Sequence, residues 1–296
     1  MSLVARARAL AWCCAALACG ANSSAVRGPR TDDFGNAVRE GTPAKPARIV
    51  SLSPATTELL FALGAGRRLV GRTHWDTYPE AARAVPDLGN GIRPNVEAVL
   101  ATHPDLVVLY ASTDDRPAAD AIRAAGVPVI ALKMDRIADF FRAVDLLGGA
   151  TGQRVRARTV GDSVQRTLDR VRAATRALDA PTVFWHVWDA PIYTIGAGSY
   201  MDELVTIAGA RNVYADLTGV SPPVAMEDIV RRDPKYILAG PEGAATIRAA
   251  AAWQSVRAVR EGRVLVVDTM LVGRPSVRLG EAAVSLANLL HPGALK

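Results

Sequence analysis

The chain is poor in the residues that chemistry and covalent cross-linking need. It has three cysteines in 296 residues, Cys13, Cys14 and Cys19, all near the start. No pair remains to cross-link the rest, so disulfides do not hold the fold. Four histidines, His74, His103, His186 and His291, show no His-Glu-x-x-His or other tight ligand spacing. There is no Walker A loop, no Gly-x-Gly-x-x-Gly after a strand, and no Gly-x-Ser-x-Gly around Ser199. A secreted α/β hydrolase using His186 or His74 with Ser199 or an Asp stays as a rival, without a motif behind it. The formal charge is +6, two of which are Arg6 and Arg8 near the start, leaving +4. The remaining arginines are spread along amphipathic segments and not interleaved with aromatics, which argues against a nucleic-acid surface.

What is present begins with compartment. Met1–Gly20 has a short basic start, an apolar run from Ala9, then Leu17-Ala18-Cys19-Gly20. That is a secretory signal, too short for a stable membrane span. A small residue before Cys at the end of such a run resembles a bacterial lipobox, although Ala16 stands where Leu is usual. Lipidation of Cys19 is expected; simple secretion and an uncleaved anchor are the alternatives. Residues 20–46 are polar and rich in Gly, Pro and Ser, and read as a flexible tether.

A long helical pattern then organises the chain. From about Thr151 to about Leu178 there is no proline, and Val155, Val160, Val164, Leu168, Val171 and Leu178 recur at roughly helical spacing. Asp179-Ala-Pro181 ends it. On either side strands alternate with helices, predicting mainly parallel sheets. The two halves match: Glu97 precedes His103-Pro-Asp105, and Glu227 precedes Asp233-Pro-Lys235. The chain therefore reads as a signal (1–19), a tether (20–46), a first α/β lobe (47–150), a linking helix (151–180) and a second α/β lobe (181–296).

Ligands of open parallel sheets bind beyond the carboxyl ends of the strands. Trp75, Tyr110, Trp188 and Tyr193 fall there, two from each lobe, and aromatic walls suit a large, flat, partly apolar ligand. His74 and His186 lie in the same stretches. Arg274, just after the last strand, is placed to meet an acidic ligand group. Glu97 and Glu227 occupy first turns, where the helix dipole favours them in any case. Their equivalent places also make them a pair of contacts for arginines on a partner.

Arg48-Ile-Val-Ser-Leu-Ser-Pro-Ala-Thr-Thr-Glu58, Leu69-Val-Gly71, Tyr78-Pro79, Asn95-Val-Glu97, Pro104-Asp105-Leu-Val107, Gly198-Ser199, Ala208-Gly209-Ala210 and Asn212-Val213 carry a family resemblance. Over about residues 47–292 the chain resembles the solute-binding proteins of ABC importers for cobalamin, iron-siderophores and haem. The resemblance implies the helical-backbone metal receptor fold (class III periplasmic binding protein): two Rossmann-like lobes, one long backbone helix and a ligand cleft with little hinge closure. It implies no enzymatic activity and no resident cofactor. The expected ligand is a vitamin B12-like corrinoid or other metal chelate. An iron-siderophore is an alternative, as is haem held by Tyr110, Tyr193 or a histidine. One glutamate per lobe, Glu97 and Glu227, would dock on the permease, and Trp75 and Tyr193 match aromatic cleft positions. The location implied is the periplasm or outer face of the envelope, with a lipid anchor. Three positions depart from the corrinoid-binding pattern: Gly91 and Ser221 replace tryptophans, and Met270 replaces an acid.

Overall fold

A computed structural model describes residues 30–38 and 45–295. Among the described residues, eight strands form two four-stranded sheets. The first contains β1 (Ile49–Ser51), β2 (Leu69–Gly71), β3 (Leu106–Tyr110) and β4 (Val129–Leu132) in the order β2-β1-β3-β4. The second contains β5 (Thr182–Trp185), β6 (Arg211–Asn212), β7 (Tyr236–Ala239) and β8 (Val264–Val266) in the equivalent order β6-β5-β7-β8. All pairings between these strands are parallel. β3 and β7 are central and read as unbroken apolar runs, as strands covered on both faces should. This is the helical-backbone receptor architecture. Beside β2, Arg72 and Asp87 form an isolated parallel bridge.

The linking helix runs Arg154–Thr175, 22 residues, or about 33 Å at 1.5 Å per residue. It is shorter than the sequence pattern suggests, for a local reason. Thr151 closes the preceding helix, Ile137–Ala150, with its N–H and its hydroxyl both donating to the Leu147 carbonyl. Gly152 then turns at φ +70°, a conformation a side chain resists. Gly148-Gly149, which looks like the break between two helices, lies inside the first one. A Cβ on Gly148 would sit 2.4 Å from that of Ala157, so the glycine permits close helix–helix approach. Ala157, Val164, Leu168, Val171 and Thr175 face inward, whereas Val155 is 71% exposed.

One apolar core threads the molecule. The inner faces of both sheets meet around helices 137–150, 154–175 and 279–290 in a single buried cluster from Ile49 to Leu290. The outer faces have separate cores, one around Val107 and Ile122, the other around Phe184, Tyr214 and Trp253. The lobes thus share packing and not merely a covalent link.

Residues 30–38, read from composition as tether, lie along the edge of β4. Asp33 donates its N–H to the Ala131 carbonyl at 2.8 Å. The buried Asp32 carboxylate accepts from the Ala131 N–H at 3.1 Å and from Arg123 at 2.7 Å. Asp33 accepts from the Lys133 N–H and from Arg142, each at 2.6 Å. Phe34 lies 4.1 Å beneath the Arg116 guanidinium. The segment occupies an edge that would otherwise offer unpaired backbone groups to another chain. The signal segment and Cys19 lie outside the described residues. Replacing Asp32 by Asn should lower stability by about 2 kcal/mol, the scale of one hydrogen bond to a charged group. A fall in the urea midpoint at unchanged slope is the expected readout.

Candidate binding cleft

The carboxyl ends of the two sheets meet through two junctions, with the candidate cleft between them. Each uses the first helix of one lobe against the segment after the fourth strand of the other. The first centres on Glu58, in helix Pro54–Ala62. Its carboxylate is fully buried. Oε2 accepts from Ser276 Oγ at 2.6 Å and Arg278 Nε at 3.1 Å. Oε1 accepts from Arg278 Nη2 at 3.2 Å and Arg274 Nη1 at 3.3 Å. A buried carboxylate is tolerated when it is paired and hydrogen-bonded in this way.

The same two arginines reach the loop after β2. Arg274 donates to the Trp75 carbonyl at 2.6 Å. The Arg278 guanidinium stacks 4.0 Å over the Tyr78 ring. Between these contacts, Asp76 accepts from Thr57 and Thr73 hydroxyls, each at 2.6 Å. Burial pushes the Asp76 carboxyl up, with these hydrogen bonds and Arg274 opposing.

The second junction is lighter. Tyr200, opening helix Tyr200–Ile207, donates its N–H to the Asp135 carbonyl at 2.6 Å. Arg136 faces Glu203 at 3.5 Å across exposed surface. The Asp135 carboxylate accepts from the Tyr110 hydroxyl at 2.6 Å. Burial, then this hydrogen bond and nearby acids, push the Tyr110 phenol well up.

The structure leaves some of the expected residues exposed in loops after strands and withdraws others. Trp75 and Trp188 stand on opposite lobes, 55% and 65% exposed. His74 is exposed with its ring centroid 4.5 Å from that of Trp75. Tyr193 and Trp188 share a hairpin after β5, exchanging backbone bonds through Trp188 O and Val187 N. Tyr110 is half-buried at the end of β3. His186 is withdrawn: it is 5% exposed, bonded to Asp189 at 2.9 Å and packed edge-on to Trp253 of the outer core. Arg274 is likewise committed, to Glu58 and the Trp75 carbonyl, and is not a free ligand contact. Ser199 caps helix 200–207, accepting from Asp202 N–H at 3.1 Å and donating to the Gly196 carbonyl. It is not paired with His186. Glu97 and Glu227 are exposed in the first turns of Val96–Ala101 and Met226–Arg232.

Sequence reasoning missed Glu58, Asp135, Tyr78 and Arg278. A signal existed for the first: Glu58 is the one charge in its helix, next to Leu59 and Leu60. The departure at Gly91 has a backbone origin. Gly91 has φ +83°, and a Cβ there would lie 2.6 Å from the Leu52 carbonyl oxygen. Ser221 is exposed and donates to the Thr194 carbonyl at 3.0 Å. Replacing Gly91 by Trp should therefore not rebuild an aromatic wall. It should cost on the order of 1–3 kcal/mol through a strained φ, seen as a lowered melting temperature without gain in ligand affinity.

Comparison with known proteins places this arrangement. Residues 49–270 match the family model described as periplasmic binding protein. The chain is 32% identical over 264 residues to an uncharacterized ABC transporter substrate-binding lipoprotein, YvrC, of Bacillus subtilis (strain 168), covering 85% of this chain and 82% of that one. It is 25% identical over 258 residues to a vitamin B12-binding protein of Pectobacterium carotovorum (strain PC1), covering 85% and 92%. A crystal structure of a periplasmic heme binding protein from Pseudomonas aeruginosa superposes with a TM-score of 0.75 at 26% identity, covering 84% and 94%. With two such lobes and matching relatives along its length, the chain belongs to the periplasmic binding protein family, as a substrate-binding component of ABC importers in the vitamin B12, haem and siderophore group.

Proposed function

We propose that the cleft binds a corrinoid and that the protein delivers it to the permease of an ABC importer. The observation that carries this reading is the pair of exposed tryptophans, Trp75 after β2 and Trp188 after β5, one on each lobe. Two indoles offer large apolar area at low entropic cost to a broad, flat ligand. The choice of a corrinoid over haem rests on Tyr110. Haem iron would take its phenolate, but that hydroxyl is bonded to Asp135 and burial favours the neutral form. A chelate whose metal needs no protein atom fits better. Haem remains the second reading because His74 is exposed beside Trp75. The protein would work outside the cytoplasm, held to the membrane through Cys19, with Glu97 and Glu227 docking on permease arginines.

Tryptophan emission should quench on titration with cyanocobalamin or cobinamide, and Trp75→Ala should weaken binding about tenfold, the scale of one aromatic contact. No response at micromolar corrinoid, with a haem-induced Soret shift abolished by His74→Ala, would replace the corrinoid with haem. Glu97→Ala combined with Glu227→Ala should abolish uptake in a reconstituted importer and leave ligand affinity unchanged. Loss of ligand affinity in that double variant would contradict their docking role.

A further inference from the structure

The Glu58 junction does more than fasten two lobes. Its arginines end on the first-lobe loop that carries Trp75. Arg274 holds the Trp75 carbonyl, and Arg278 stacks on Tyr78, three residues further along. Glu58 holds both guanidinium groups through both of its oxygens, with Ser276 as a further donor. The next residue back, Thr57, holds Asp76 in the same loop. A five-residue segment, His74–Tyr78, is thus gripped from its own lobe by Thr57 and from the opposite lobe by two arginines. The arginines belong to the second lobe, so the position of a first-lobe aromatic is written partly in second-lobe residues.

The balancing of charge supports a fixed rather than an adjustable device. Asp76 and Glu58 are both buried, and Arg274 and Arg278 lie nearly so. Two carboxylates and two guanidinium groups leave little net charge, and no group can leave without stranding another. The arginine fork matters as well as its charge, since one guanidinium spans Glu58 and a backbone carbonyl at once.

We propose that Glu58 is a positioning residue for ligand binding: through Arg274 and Arg278 it sets the His74–Tyr78 loop, and with it Trp75, across the lobe interface. The functional side of this rests on the cleft being the ligand site; the structural side does not. Hydrogen exchange tests it on the full chain without ligand. The amides of His74, Asp76 and Thr77 are bonded within this loop or to Gly89, so their exchange reports its order. In Glu58→Gln they should exchange at least tenfold faster, while peptides covering β3 and β7 keep wild-type rates. Arg136→Gln, at the lighter junction, should leave the loop unchanged. Should Glu58→Gln not fold, Arg274→Lys serves, because it keeps the cation and loses the fork. Unchanged loop exchange in the folded variant, or equal acceleration throughout both lobes, would overturn the proposal. Cyanocobalamin titration is the second arm: Arg274→Lys should bind about tenfold more weakly. Wild-type affinity in a variant with a loosened loop would also overturn it. If the wild-type protein binds no corrinoid, the ligand assignment falls and the exchange result still decides the loop.

Discussion

A carboxylate taken out of water must find charge and hydrogen bonds to replace its hydration, and Glu58 finds both on the opposite lobe. Removing one partner from such a buried pair typically costs roughly 3–5 kcal/mol. That cost makes the lobe arrangement nearly all-or-none at this junction, because partial separation strands ions in an apolar setting. The lobe spacing at this junction is therefore set by electrostatics and not by the linking helix alone. The lighter junction around Asp135 has one backbone hydrogen bond and an exposed ion pair, and exposed pairs contribute at most about 1 kcal/mol. Any breathing of the cleft should pivot about Glu58 and be felt on the Asp135 side.

The shared core reinforces this. Helices 137–150, 154–175 and 279–290 pack as one body against both sheets. Close approach is secured by small residues: a Cβ at Gly148 would strike Ala157, and one at Gly280 would strike Thr167. Close-packed interiors switch between discrete arrangements more readily than they bend. The freedom such a scaffold leaves lies in its surface loops, two of which expose Trp75 and Trp188.

Much of this architecture could be read from residues alone, because strand and helix signals are local. The alternation of apolar strands with helices foretold two parallel sheets; the caps at Asn95 and Ser199, accepting from Ala98 and Asp202 N–H groups, emerge only in the structure. The cleft was half legible. Of the aromatics after strand ends, Trp75 and Trp188 are exposed, as a ligand surface requires. What local pattern could not supply is direction: His186 follows β5 as Trp188 does, yet one faces the outer core and the other solvent. Nor could it pair Glu58 with Arg274, whose contact spans 216 positions. The helix break at Gly152 was masked by an uninterrupted apolar period. The edge-capping role of Asp32 and Asp33 was hidden in a stretch whose composition resembles a linker.

That stretch would alter the geometry of the attachment proposed at Cys19. With residues 30–38 seated on β4, the first lobe is gripped at Arg30, and ten residues separate it from Cys19. Fully extended, that interval reaches roughly 40 Å, whereas a leash free as far as Arg48 would reach roughly 100 Å. A receptor anchored at Cys19 would patrol a shell of far smaller volume above the bilayer. It would also approach its transporter with the first lobe already oriented, trading range for a higher local concentration.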